Sequence, residues 1–157
     1  MIPSFLNSLA TVFHNHLTQL ENEINLFEEE ELLWAIKPGV TNSAGNLTLH
    51  LVGNLNYYIG ATLGGTAYQR NRENEFSAKD ISSTKLIKMI QETEKVVTGV
   101  LNRFPLSELE QEYPIIVFDK PMSVQYFLLH LSAHLAYHLG QINYLRRILQ
   151  SNEVIRQ

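Results

Sequence analysis

The chain of 157 residues contains no cysteine. That absence excludes disulfides, thiolate-ligated metals and cysteine nucleophiles, and does not fix the compartment. Positive charge is also scarce: 12 Lys+Arg stand against 16 Asp+Glu, a formal net charge of -4. A nucleic-acid-binding surface would need a basic patch to neutralise phosphates, so nucleic acid is not an expected partner. The only close basic groups are Arg70 with Arg72 and Arg146 with Arg147. No uninterrupted apolar stretch approaches the roughly 20 residues of a membrane helix. The opening "MIPSFLNSLATVFHNH" lacks the basic start and apolar run of a signal peptide, so export is not expected and a cytoplasmic location is. Internal repeats, low-complexity tracts and linkers are missing too. What remains, 45% apolar and 18% charged residues, is the composition of an ordinary globular protein, long enough for a sizeable core. We expect one domain over residues 1–157.

Four long segments carry helical periodicity. The first spans about Ser4 to Glu31, with Phe5, Leu9, Val12, Phe13, Leu17, Leu20, Ile24 and Phe27 on a three-four spacing. It runs into the acidic "EEEE" and is broken at Pro38-Gly39. The second spans about Ser43 to Leu63, with Thr41, Asn42 or Ser43 as its cap and Gly64-Gly65 as its close. A polar connector, "TAYQRNRENEFSAKDISS", leads to the third helix, about Thr84 to Arg103. "FPLSELEQEYPIIVFDKPMS" follows as a loop, with a short β-prone run at Ile115 to Phe118. The fourth helix spans about Ser123 to Leu149. Four helices with short to moderate connections predict an all-α four-helix bundle.

Three of the six histidines, His130, His134 and His138, recur every fourth residue in "LLHLSAHLAYHLGQ". Advancing roughly 100° per residue places His138 inside the apolar stripe of the fourth helix, His134 at its margin and His130 on the flank. His130 and His138 are separated by about 12 Å of helix rise, too far to share one ion. The inward pair is therefore His134 with His138. Two imidazoles spaced by four residues can meet one metal, and a catalytic site needs a third protein ligand plus an open position. In bundles that ligand comes from a facing helix. The best candidate is His50 in "GNLTLHLVGNLNYYIG", which forms a polar line with Asn54 and Tyr57 on an otherwise apolar helix. His14 reads as an ordinary polar residue of a bundle helix, and His16, near the apolar stripe of the first helix, as a packing residue.

These blocks resemble the DinB-like superfamily of bacterial four-helix bundles, some of which are bacillithiol and mycothiol transferases. The likeness rests on "NSAGNLTLHLVGN", "RNRENEF" and "HLAYHLGQINYLRR" in that order and spacing. It implies a DinB/YfiT-like bundle, a metal triad of His50, His134 and His138, a divalent metal such as zinc or nickel, and a homodimer. It carries no substrate: some relatives conjugate low-molecular-weight thiols through a metal-activated thiolate, and most have no assigned reaction. We expect a metal-dependent enzyme of the thiol S-transferase-like kind, joining such a thiol to a small electrophile. A metal there could lower the pKa of a bound thiol or water and generate a nucleophile near neutral pH. Neither histidine motif carries a carboxylate to act as general base, which favours a thiol over metal-dependent hydrolysis. A non-enzymatic, metal-stabilised dimeric helical module is the other alternative.

Metal-bound histidines usually donate their second ring N–H to an oxygen. Asn54, Tyr57, His130 and Gln141 are the candidates for the surrounding polar groups. Arg70, Arg72 and Glu73 are expected to form a surface ion-pair cluster, or otherwise to contact an anionic substrate. Trp34 is expected to seal one end of the bundle.

Overall fold

The computed structural model describes residues 4–151. It is all-helical, as expected. The long helices are α1 (Phe5–Asn25), α2 (Ala44–Leu55), α4 (Ser83–Leu101) and α5 (Val124–Gln150), and the short α3 (Arg72–Ser77) lies in the connector. Helix α1 packs chiefly on α4 and α5, and α2 packs on α3, α4 and α5. No helix among the described residues is long and apolar enough to cross a membrane.

Each helix begins where a short polar side chain can satisfy a free N–H of the first turn. Ser4, Ser43, Asn71, Ser82 and Ser123 accept from the backbone N–H three residues on. Of the three possible caps for α2, Ser43 is the one used, at 3.1 Å from Asn46 N. Helix α1 stops at Asn25, short of the expected Glu31. Extending it would have placed the Glu28–Glu31 run against the negative end of the helix dipole. One of these acids serves elsewhere: Glu30 Oε1 accepts from Ser83 N at 3.0 Å and Ser83 Oγ at 2.7 Å, at the positive end of α4.

Two further departures are local. The chain past Leu55 widens into a π-helical turn over Asn56–Ala61, seen in the bonds from Thr62 N to Tyr57 O and from Gly64 N to Ile59 O. In the last long loop, extended pairing occurs at an isolated antiparallel bridge between Glu112 and Ser123 rather than at Ile115 to Phe118. Tyr113, beside that bridge, is buried and donates its hydroxyl to Tyr58 O at 2.7 Å.

The core is filled by the faces that the periodicity marks. Phe13, Leu17, Leu20 and Ile24 from α1 meet Leu86, Ile90 and Val97 from α4 and Phe127, Leu128, Leu131, Leu135 and Ile142 from α5. Helix α2 is different, because every residue from Ala44 to Leu55 is buried. Trp34, at the end of a 3₁₀ turn over Glu30–Trp34, lies flat enough on the start of α2 that a Cβ on Gly45 would meet its ring at 2.7 Å. Gly45→Ala should therefore cost about 1–3 kcal/mol by overpacking. In urea denaturation that penalty should largely vanish in a Trp34→Ala background. Equal penalties in both backgrounds would remove Trp34 as the cause.

Candidate metal centre

Because α2 has no solvent face, each of its polar side chains has to be satisfied inside the protein. Asn46 does this across to α3: its Nδ2 donates to Glu75 O at 3.1 Å and Ala78 O at 2.9 Å, while Oδ1 accepts from Ser43 Oγ at 2.7 Å. These bonds lay α3 along α2 and aim Glu75 at the next polar residue on that face, His50. His50 Nδ1 lies 3.0 Å from Glu75 Oε2. Room for the carboxylate exists because the intervening position is Gly53, where a Cβ would fall inside the carboxylate itself.

Arg70 closes this layer. Its Nε donates to Glu75 Oε1 at 2.7 Å and its Nη2 to Oε2 at 2.9 Å, with Arg70 and Glu75 side chains only 11% and 6% exposed. The ion pair is therefore buried, and its acid is Glu75; Glu73, expected to take part in a surface cluster, is exposed on the far side of α3. Burial by itself would raise the Glu75 pKa. Hydrogen bonds from His50 and Arg70, with the Arg70 charge, outweigh it and hold the carboxyl below its ordinary value of 4.5. An ionised carboxylate only accepts, so the neutral tautomer of His50 that suits it carries the proton on Nδ1 and a lone pair on Nε2.

That lone pair faces α5. His50 Nε2 is 3.2 Å from His134 Nε2, which is 3.1 Å from His138 Nε2. The ligand atoms of all three residues lie within 4.8 Å of one another. Ligand nitrogens held tetrahedrally about 2.0–2.1 Å from zinc stand about 3.3 Å apart, so the spacings of His134 to His50 and to His138 suit such an ion. The protonation pattern fits too. His138 Nδ1 donates to Gln141 Oε1 at 2.7 Å, and Gln141 is itself oriented by donating to Tyr137 Oη at 3.2 Å. His138 Nε2 is thereby left as a second lone pair. Burial, followed by the neighbouring His138 and His50, pushes the His134 pKa down to about 3, and burial also lowers that of His138. Two of the three Nε2 atoms, those of His50 and His138, thus turn toward the third, that of His134. The group could hold a metal ion.

The structure thus brings His50, His134 and His138 together. Gln141 orients His138, whereas the acceptor for His50 is Glu75, which the sequence reading did not single out. Asn54 is buried at 7% exposure beside the cluster, and its Oδ1 has no partner among the described residues. Tyr57 packs on the ring of Tyr58, and Tyr58 lines the cavity beside the site. His130 stacks on Phe127 with Phe118 across its edge. His14 pairs with Glu94 at 3.0 Å, and His16 lines a separate groove between α1 and α5.

Two cavities reach the triad. One of about 450 Å³ is lined by His50 and His134 together with Asn54, Tyr58, Arg70, Arg72, Phe118 and His130. The other, about 460 Å³, is lined by His138 and Gln141 with Tyr137, Tyr144, Leu145 and the Gly39–Asn42 turn.

The helical arrangement that brings α2 and α5 together is shared with a solved structure at the level of the fold. The crystal structure of a DinB-like protein from Bacillus cereus ATCC 10987 is similar over 90% of this chain and 91% of that one, with a TM-score of 0.67 at 17% identity. More particularly, the chain belongs to the family DUF1572, described as "Protein of unknown function", which it matches over residues 2–156. No curated protein matches it.

Glu75→Gln should lower the affinity for zinc or nickel about 10–100-fold, measured by competition with a chromophoric chelator. It should also cost about 1–3 kcal/mol in the metal-free protein by weakening the partners of His50 Nδ1 and Arg70. Glu75 has a depressed folded pKa, so its stabilisation is full above the ordinary value of 4.5 and is lost as pH falls through the folded value. The gap in Tm between wild type and Glu75→Gln should accordingly narrow on acidification below that point. A gap independent of pH would show that the carboxylate charge does not matter.

Proposed function

We propose that this protein is a metal-dependent enzyme of the thiol S-transferase type, with a divalent ion, zinc or nickel, held by His50, His134 and His138. The observation that carries the metal reading is the convergence of three imidazole nitrogens, two of them with their proton fixed on the far side by Glu75 and Gln141. A metal with three neutral ligands and an open position supplies the Lewis acidity that ionises a thiol near neutral pH.

This chain's own residues supply the rest. Glu75 and Arg70 hold the His50 ring, Gln141 holds the His138 ring, and burial keeps His134 neutral so that it competes for no proton at physiological pH. Transfer between two molecules requires two places to bind, and the triad borders two cavities. Among the described residues no carboxylate lines either of them. Hydrolysis would draw on such a general base, whereas a thiol ionised at a metal needs none. Support therefore favours a low-molecular-weight thiol and a small electrophile over water as the reacting pair. A homodimer belongs to the same proposal.

Elemental analysis of untagged protein tests the reading first. Near-stoichiometric zinc or nickel is expected in wild type, with loss in both His50→Ala and His138→Ala. Chelation should lower the wild-type Tm and leave that of the two variants unchanged. With metal restored, coupling of a small thiol to an activated aryl halide should proceed in wild type and fall at least about tenfold in His138→Ala, some 1.4 kcal/mol in the barrier. Wild-type protein that takes up neither ion would end the proposal. Full metal without coupling would leave a metal-stabilised bundle.

A further inference from the structure

The chain carries a net charge of -4, yet the cavity beside His50 and His134 has the opposite character. Two arginines line it and, among the described residues, no acid does. Arg70 is neutralised by Glu75. Arg72 is not: it makes no ion pair among the described residues, and its guanidinium rests 5.8 Å from the Phe76 ring at the rim. Asn54, more than nine-tenths buried, contributes an amide whose Oδ1 lacks a partner. An unpaired buried amide oxygen is costly, and a half-turn of the amide would present either a donor or an acceptor to a guest. The remaining wall is apolar and aromatic, from Val117, Phe118, Phe127 and Leu131. A volume of about 450 Å³ lies within the range for a small ligand.

We infer that this cavity binds a small molecule bearing a carboxylate on a compact apolar body, with Arg72 as the charge partner at the rim and Asn54 as the hydrogen-bonding group inside. Arg72 offers a planar pair of donors matched to a carboxylate. The apolar wall takes the body of the ligand, and its far end is directed toward His50 and His134. That last point rests on the proposed metal centre. The anion site itself does not, since Arg72 and Asn54 lie outside the triad.

The test is calorimetric titration, at fixed ionic strength, of zinc-bound protein with 3-mercaptopropionate and with its uncharged counterpart 3-mercapto-1-propanol. Wild type should bind the acid about tenfold more tightly, the difference expected of one well-placed charged contact. Arg72→Gln should abolish that preference while leaving the alcohol's affinity unchanged. Asn54→Ala should weaken binding of the acid with the fold, read by circular dichroism, intact. Equal affinities in wild type, or a preference that survives Arg72→Gln, would overturn the inference. Should the protein take up no zinc, the metal reading fails on its own, and the anion site is then decided by NMR of metal-free protein. There 3-mercaptopropionate should shift the His130 ring signals in wild type but not in Arg72→Gln; no wild-type shift overturns it.

Discussion

Helix α2 has no face to water, and the requirement that its polar groups find partners inside the protein organises the site. Asn46 and His50 sit on the side that α3 covers. A helix of six residues is too short to persist alone, so α3 is held by what it satisfies: two of its terminal carbonyls through Asn46 and a carboxylate through His50 and Arg70. The same bonds fix which nitrogen of His50 carries the proton and where its ring points. Gly53 is the spatial condition for all of this, since any side chain there would displace Glu75.

The two ends of the triad are built on different principles. His50 is oriented by a charged layer that is itself neutralised and buried. His138, at the opposite edge, is oriented by an uncharged amide within its own helix, one turn on. His134 lies between them with its Nδ1 buried and unpartnered among the described residues, so its position follows from the packing of α5. A carboxylate raises the basicity of the imidazole it contacts more than an amide does, and the three imidazoles would therefore be unequal donors to a metal ion. His138, held by the amide, is the one that lines the tyrosine-bearing cavity.

Much of this was legible in the residues. Hydrophobic periodicity over 20 or so residues marks a helix because one face must be buried, and it located the four long helices and their shared core. The spacing of His134 and His138, with the isolation of His50 on an apolar helix, brought out the cluster through the same periodicity. Three things stayed hidden. The end of α1 depended on one of four glutamates, Glu30, finding a better helix terminus, at Ser83, far along the chain. Helix α3 is too short for a periodic signal, and Glu75 could be matched to His50 only once the gap at Gly53 was known; the sequence clue was a glycine three residues from a histidine on one helical face. Helical spacing puts Tyr57 on the polar edge, but Tyr58, four residues beyond Asn54, is the tyrosine that lines the cavity.

The π-helical segment sets a boundary within one continuous helix. A π turn accommodates one surplus residue without ending the helix, so the part carrying His50 and Asn54 and the part carrying Tyr58 and Ile59 follow different angular frames. The first frame serves the histidine cluster. The second serves the loop that returns toward α5, through the hydroxyl of Tyr113 on the Tyr58 carbonyl and the contact of the Tyr58 ring with Phe127. Tyr58 belongs to both edges: its ring lies 5.5 Å from the Arg70 guanidinium and its carbonyl anchors the loop. The surplus residue works as a phase adjuster, letting a buried chemical edge and a structural edge occupy the same helix though their spacings do not agree.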